Sequence, residues 1–285
     1  MANIIDGKLL SSKIKEQVKE KSLIFEKKLG RKITLAVVLV GENPASKVYV
    51  NNKIKACEFV NFKSLAYNLP ANSTQKDVEE LVSCLVEDKN VDGILVQLPL
   101  PKHLDEDAIL SLIPAEKDVD GFSSQSVGNL LLGKPCVSAC TPSGVIKMLE
   151  STGVDLTGKH AVVIGRSNIV GKPMALLLLN KNCTVTVCHS KTSNLKEVCS
   201  NADILVAAIG RPRFVTEDMV KEGAIVIDVG INRLETGLVG DVDFENVKNK
   251  ASFITPVPGG VGPMTIAMLM ENTLNLAIRG NEIEL

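Results

Sequence analysis

The sequence predicts an α/β protein of two domains, each built on a parallel sheet covered by helices. Three observations lead there. Runs of strand length such as "ITLAVVLVG" and "AIVIDVG" are almost continuously apolar and rich in β-branched residues, the composition of strands buried on both faces. Stretches with apolar residues at helical spacing separate most of them, so strand and helix alternate along the chain. At 285 residues, the chain also exceeds the ordinary size of one compact core.

In order, Leu10, Ile14, Val18, Phe25 and Leu29 recur at helical spacing and Gly30 stops the run, predicting a first helix. "ITLAVVLVG" follows as a strand, then Asn43-Pro44, where Asn caps and Pro takes the first turn of a second helix. "SLAYNL" reads as strand, Ser73 or Thr74 opens a helix to about Lys89, "DGILVQL" is a strand and "EDAILSLI" a helix. The segment "PAEKDVDGFSSQSVGNLLLGKP", rich in Gly, Ser and charge, is the best candidate for a boundary. After it, Thr141-Pro142 repeats the cap-plus-proline signal, and strands are expected at "HAVVIG", "TVTVCH", "DILVAAIG", "AIVIDVG" and "SFIT". The last helix, "MTIAMLMENTLNLAIRG", is apolar on more than one face and is expected to pack into a core, crossing back to the first domain.

The formal net charge is -1, and no basic run is interleaved with aromatics, which argues against a nucleic-acid partner. Apolar runs are too short to span a bilayer, and Asp6 and Lys8 interrupt the place where a signal peptide needs its apolar core. A cytoplasmic protein with no membrane partner is the expectation. The seven cysteines include no C-x-x-C pair, and the three histidines are scattered, so the cysteines read as small buried hydrophobes and no metal is expected.

Gly165-Arg166-Ser167-Asn168-Ile169-Val170-Gly171 falls where a strand hands over to a helix, the position from which backbone N–H groups and the helix dipole hold a phosphate. Ser167 replaces the middle glycine of G-x-G-x-x-G, so a plain tight turn is the alternative, and the α/β context favours the phosphate. The following strand runs into His189-Ser190-Lys191-Thr192 with no carboxylate to receive ribose hydroxyls. Arg166, Ser190 and Lys191 offer a cationic, hydroxyl-bearing pocket instead, which favours NADP over NAD; otherwise Arg166 and Lys191 are solvated surface charges.

Tyr49 and Lys53, at i and i+4, share one helical face and can address a single ligand, although a lone pair of this kind is usually surface decoration. Gln97 comes near the carboxyl end of its strand, where α/β sheets present ligands. Asp118 and Asp120 lie in "KDVDGF", whose plain reading is an aspartate-stabilised turn with Gly121. The cluster "TPVPGGVGPMT", with Pro258, Gly259 and Gly260, brings bare backbone close to a flat ligand or is only a rigid loop.

Taken in order, "YVNNKIK", "VQLPLP", "KDVDGF", "TPSG", "GRSNIVGKP", "CHSKT", "VIDVGIN" and "PVPGGVGPMT" resemble the bifunctional methylenetetrahydrofolate dehydrogenase/cyclohydrolases over nearly the whole chain. The departure is Ala139 in "SACTP", where that family commonly has proline. The resemblance implies an N-terminal α/β folate-binding catalytic domain, 1–140 plus 266–285, and a C-terminal Rossmann-like NADP-binding domain, 141–265. It implies hydride transfer from 5,10-methylenetetrahydrofolate to NADP in the cleft between domains, then hydrolysis to 10-formyltetrahydrofolate at the same carbon. Asp120 would pair with the pterin edge, Tyr49 would stack on the p-aminobenzoyl ring, and Lys53 would transfer protons with its pKa depressed. Gln97 would hold Lys53 or position the water. Pro258, Gly259 and Gly260 would complete the substrate site, and Gly165, Arg166, Ser167, Ser190, Ile231 and Thr265 would contact NADP. A homodimer and a place in one-carbon metabolism, serving purine, methionine and histidine biosynthesis, are implied likewise; the formate–tetrahydrofolate ligase domain of some relatives is expected to be absent. Two other readings stay open: another two-domain NADP dehydrogenase of the shikimate type, and a non-catalytic folate- or nucleotide-binding regulator that kept the fold.

Overall fold

The computed structural model describes residues 1–284 apart from Thr236; Leu285, where the expected first-domain range ends, and the side chain of Ala45 lie outside the described residues. In chain order the elements are β1 (Asn3–Ile4), α1 (Gly7–Leu29), β2 (Thr34–Val40), α2 (Pro44–Phe59), β3 (Lys63–Leu69), α3 (Gln75–Glu87), β4 (Gly93–Val96), α4 (Glu106–Ser111) and α5 (Ser124–Leu131). Then follow α6 (Cys140–Ser151), β5 (His160–Ile164), α7 (Gly171–Asn180), β6 (Thr184–Cys188), α8 (Leu195–Ser200), β7 (Ile204–Ala207), β8 (Ile225–Asp228), β9 (Asn232–Leu234), β10 (Gly237–Val239), α9 (Phe244–Val247), β11 (Phe253–Ile254) and α10 (Val261–Gly280). Two compact units result: Ser12–Cys140 with Ile266–Leu285, and Met1–Ser11 with Thr141–Thr265.

The first of these carries a parallel three-stranded sheet in the order β3-β2-β4. Successive β2 residues point to opposite faces. Leu35, Val37 and Leu39 join Val18 and Phe25 of α1, Cys57 of α2 and Met268, Leu269, Met270 and Leu274 of α10 in one core. Ala36, Val38 and Val40 meet Val78, Val82 and Leu85 of α3 and Ile109 of α4 in another. Both faces are therefore covered, which is why β2 has no polar residue after Thr34. Capping follows local chemistry: Ser46 N–H donates to Asn43 Oδ1 at 3.2 Å, and Thr74 forms a reciprocal capping box with Asp77. The "PAEKDVDGF…" segment, the expected boundary, lies inside this unit, whose limit falls just after it at Cys140. The segment's composition is that of a tight, hydrogen-bonded loop followed by α5, and Asp118 and Val119 are buried in it.

The other unit carries a six-stranded sheet in the order β1-β11-β8-β7-β5-β6, with every pairing parallel. The assignment of 1–140 to one domain needs correction at its start. Asn3 and Ile4 pair with Phe253 and Ile254 and extend this second sheet, and a two-residue strand leaves no periodic signal to read. The antiparallel hairpin β9-β10 also went unpredicted, because "NRL" and "GLV" are too short to alternate. Helix α6 begins at Cys140, ahead of the expected Thr141 cap, and the Thr141 hydroxyl instead meets that of Thr265 at 2.9 Å. Among the described residues, no helix is long and apolar enough to cross a membrane. Not all cysteines are buried as expected: Cys84 is exposed and Cys136 half-buried.

Candidate active site

In the three-stranded unit, α2 places Tyr49 and Lys53 one turn apart on the same face. Lys53 is only 8% exposed, and its ammonium donates to Gln97 Oε1 at 2.9 Å. Gln97 lies one residue past β4, and its Nε2 donates to Leu98 O at 2.7 Å, which fixes the amide with its oxygen toward the lysine. The pair thus comes from two elements, joined where the sheet presents its carboxyl ends.

Asp120 is placed by the loop before it. Lys117 ends that approach by donating to the carbonyls of Leu85, Val86 and Asp88, closing the end of α3. Ile94 N–H donates to Lys117 O at 2.8 Å, which ties the loop to β4. Asp118 accepts from Gly121 N–H at 2.9 Å and Ser123 N–H at 2.6 Å, so the aspartate-turn reading holds for this residue. Gly121 has φ +72°, and a Cβ there would stand 2.7 Å from the Ser138 carbonyl carbon, so only glycine fits the turn. Behind the loop, Asn272 Nδ2 donates to Val119 O at 2.9 Å and Ser138 O at 3.1 Å.

The electrostatics of these groups are coupled. Burial depresses the Lys53 pKa below the usual lysine value, while Asp120 pulls it back up. Burial pushes the half-buried Asp120 up to about 6, and Lys53 opposes that rise. Burial also raises the Tyr49 phenol. Cys140 and Asn272, which flank Asp120, had no assigned role in the sequence reading; the signal available was an amide, one of two with Asn275, within the apolar run of α10.

In the six-stranded unit, β5 is followed directly by Gly165, whose φ of +125° and a Cβ position 2.3 Å from Ala208 O admit only glycine. A Cβ on Gly171 would fall 2.3 Å from Gly165 O, so the helix start packs directly on the turn. Ser167 Oγ accepts from Val170 and Gly171 N–H at 3.2 and 3.3 Å, which ties the turn to the residues that open α7. Arg166, Ser167 and Ser190 are all exposed at this edge, at the ends of the neighbouring strands β5 and β6. Bare backbone, a helix N-terminus, an exposed guanidinium and a segment 189–192 without a carboxylate fit an anionic dinucleotide.

Ile231 is 45% exposed, so it is not core, and with Pro258, Gly259 and Gly260 it lines a cavity of about 160 Å³ in this same unit. The Pro258–Gly260 turn is held by Lys8 N–H donating to Gly259 O at 3.1 Å. Thr265 Oγ1 is engaged with Thr141 and with Val261 O. The structure therefore gathers Tyr49, Lys53, Gln97 and Asp120 in one unit, and Gly165, Arg166, Ser167, Ser190, Ile231, Thr265 and Pro258–Gly260 in the other.

A family model described as tetrahydrofolate dehydrogenase/cyclohydrolase, catalytic domain, matches residues 5–120, and the NAD(P)-binding domain of the same family matches 139–281. The chain belongs to this family. It is 58% identical over 273 residues to the bifunctional protein FolD of Agathobacter rectalis, covering 95% of this chain and 98% of that one. A crystal structure of the bifunctional FolD dehydrogenase/cyclohydrolase from Campylobacter jejuni superimposes with a TM-score of 0.96 at 54% identity, covering 99% of this chain and all (100%) of that one. The Trypanosoma brucei enzyme, complexed with NADP cofactor and an inhibitor, gives a TM-score of 0.95 at 39% identity over 99% of each chain. Shikimate 5-dehydrogenase from Thermus thermophilus gives a TM-score of only 0.52 at 15% identity, with 86% of this chain and 99% of that one covered, a likeness of fold alone.

Proposed function

We propose that this chain oxidises 5,10-methylenetetrahydrofolate with NADP and hydrolyses the methenyl product to 10-formyltetrahydrofolate. The observation that carries the reading is the Lys53 Nζ to Gln97 Oε1 contact of 2.9 Å beside Asp120, within the segment that matches the family's catalytic domain. Asp120 accepts hydrogen bonds from the amino-substituted pterin edge, and its carboxylate form is the better acceptor. Tyr49 stacks on the p-aminobenzoyl ring. Lys53 moves the proton in hydrolysis, since its depressed pKa leaves more neutral amine near neutral pH than an exposed lysine has. Gln97 keeps that amine aimed at the reacting carbon. When bound, NADP supplies the hydride acceptor. Gly165, Arg166, Ser167 and Ser190 would hold its phosphates, and Ile231, Thr265 and the Pro258–Gly260 turn would shape the remaining contacts.

Hydride transfer asks these side chains for alignment, whereas hydrolysis also asks for a proton carrier. Both activities then use one bound folate. A cytoplasmic location is supported by seven unpaired cysteines, and a homodimer by resemblance to the family. The test is absorbance: purified protein given methylenetetrahydrofolate and NADP should form NADPH and pass through methenyltetrahydrofolate. No NADPH formation, with cofactor and folate both bound, rejects the reading in favour of a binding protein.

A further inference from the structure

Asp241 is 0% exposed and accepts four N–H groups: Ile209 and Gly210 N–H on Oδ2 at 2.7 and 2.9 Å, Arg211 N–H on Oδ1 at 2.8 Å, and Asn232 Nδ2 on Oδ1 at 2.9 Å. A second buried carboxylate stands beside it. Asp228 accepts from Gly230, Asp241 and Val242 N–H at 3.0, 2.9 and 2.9 Å. Two glycines exist to admit these groups: a Cβ on Gly230 would lie 2.2 Å from Asp241 Oδ1, and one on Gly240 1.8 Å from Asp228 Oδ2. Three segments, 209–211, 230–232 and 240–242, are thereby pinned together. The first two leave the carboxyl ends of the adjacent strands β7 and β8, the edge at which a parallel α/β sheet meets its ligand. Ile231 emerges between Gly230 and Asn232, half-exposed, as a lining residue of the cavity.

We propose that Asp241 is a positioning residue for NADP: through its four donors it fixes the backbone of 209–211 and the direction of Ile231, without itself reaching the cofactor. The inference rests on the reading of Ile231 as a cofactor contact. An amide of the same shape turns its NH₂ toward N–H donors, so Asp241→Asn loosens both segments, and Asn232→Ala cuts only the link to the Ile231 segment. Losing one such charge-assisted bond predicts a rise of about tenfold in KM for NADP in each variant, with kcat at saturating NADP falling less than about threefold and folate-analogue affinity unchanged. The two changes combined should raise KM by less than the product of their separate effects.

Steady-state kinetics with NADP varied, alongside thermal melts, tests this. A lowered Tm with KM for NADP unchanged in both variants overturns the proposal and leaves Asp241 a purely structural group. Should Asp241→Asn fail to fold, the KM of Asn232→Ala alone separates positioning from a purely structural role. Ile231→Ala separates the two layers. If it raises KM while Asn232→Ala does not, positioning fails; if it does nothing while Asn232→Ala raises KM, the contact reading of Ile231 fails, and with it the proposed route through that side chain.

Discussion

Replacing Lys53 with methionine should split the two activities. Methionine is close to lysine in length and fills the same nearly closed space, so the packing change is worth less than about 1.5 kcal/mol. Gln97 Oε1 loses its donor, which for this half-buried acceptor costs less than the ~1–3 kcal/mol of a fully buried one, while removal of a desolvated ammonium offsets part of that. The fold should therefore survive. A positioned proton carrier contributes about 10²–10⁴ in rate, or about 3–5 kcal/mol of barrier, and only hydrolysis draws on it. Cyclohydrolase activity is expected to fall by that factor and dehydrogenase activity by less than about tenfold. The assays are the decay of methenyltetrahydrofolate absorbance and the appearance of NADPH, measured on one preparation. The pH profile adds a sign. Because the Lys53 pKa lies below 10.5, hydrolysis by the native protein should rise with pH and level off below that value, and the variant should lose this limb. Equal losses in both activities, or retained hydrolysis, would refute the assigned role.

Asp120, pushed up to about 6, must be ionised for its strongest bond to the pterin, so folate-analogue affinity should weaken as pH falls through about 6; fluorescence titrations of native protein and Asp120→Asn should show this limb only in the former. Arg166→Ala should weaken NADP binding by about tenfold or more, as expected for one lost charged hydrogen bond, and leave NAD nearly unaffected; calorimetric titration showing NADP affinity untouched would return Arg166 to the solvated surface. Gly165→Ala forces a Cβ to within 2.3 Å of Ala208 O at a φ of +125°, so it should lower stability by about 2 kcal/mol and impair NADP binding, checked by denaturant melts and titration.

Elements were legible where physics is local. Unbroken β-branched runs gave the buried parallel strands, and Asn43 and Thr74 marked helix starts because short polar side chains satisfy free N–H groups. Tyr49, Lys53, Gln97 and Asp120 could be named from spacing and family resemblance, but the lysine-to-glutamine bond joins residues 44 apart and needs the fold to exist. Asp228 and Asp241 were missed for the same reason. Their donors lie in segments remote in sequence, and the available hint was a carboxylate ending the otherwise apolar β8. The first strand failed differently, since two residues cannot declare which sheet they will join.

The core around Leu35 and Val37 borrows Met268, Leu269, Met270, Leu274, Leu276 and Ala277 from the far end of the chain. A ribosome delivers those residues only after the whole of Thr141–Thr265 has emerged. The segment that bears Lys53, Gln97 and Asp120 thus emerges with one wall open, and a message truncated after Cys140 encodes it without the α10 side chains of its core.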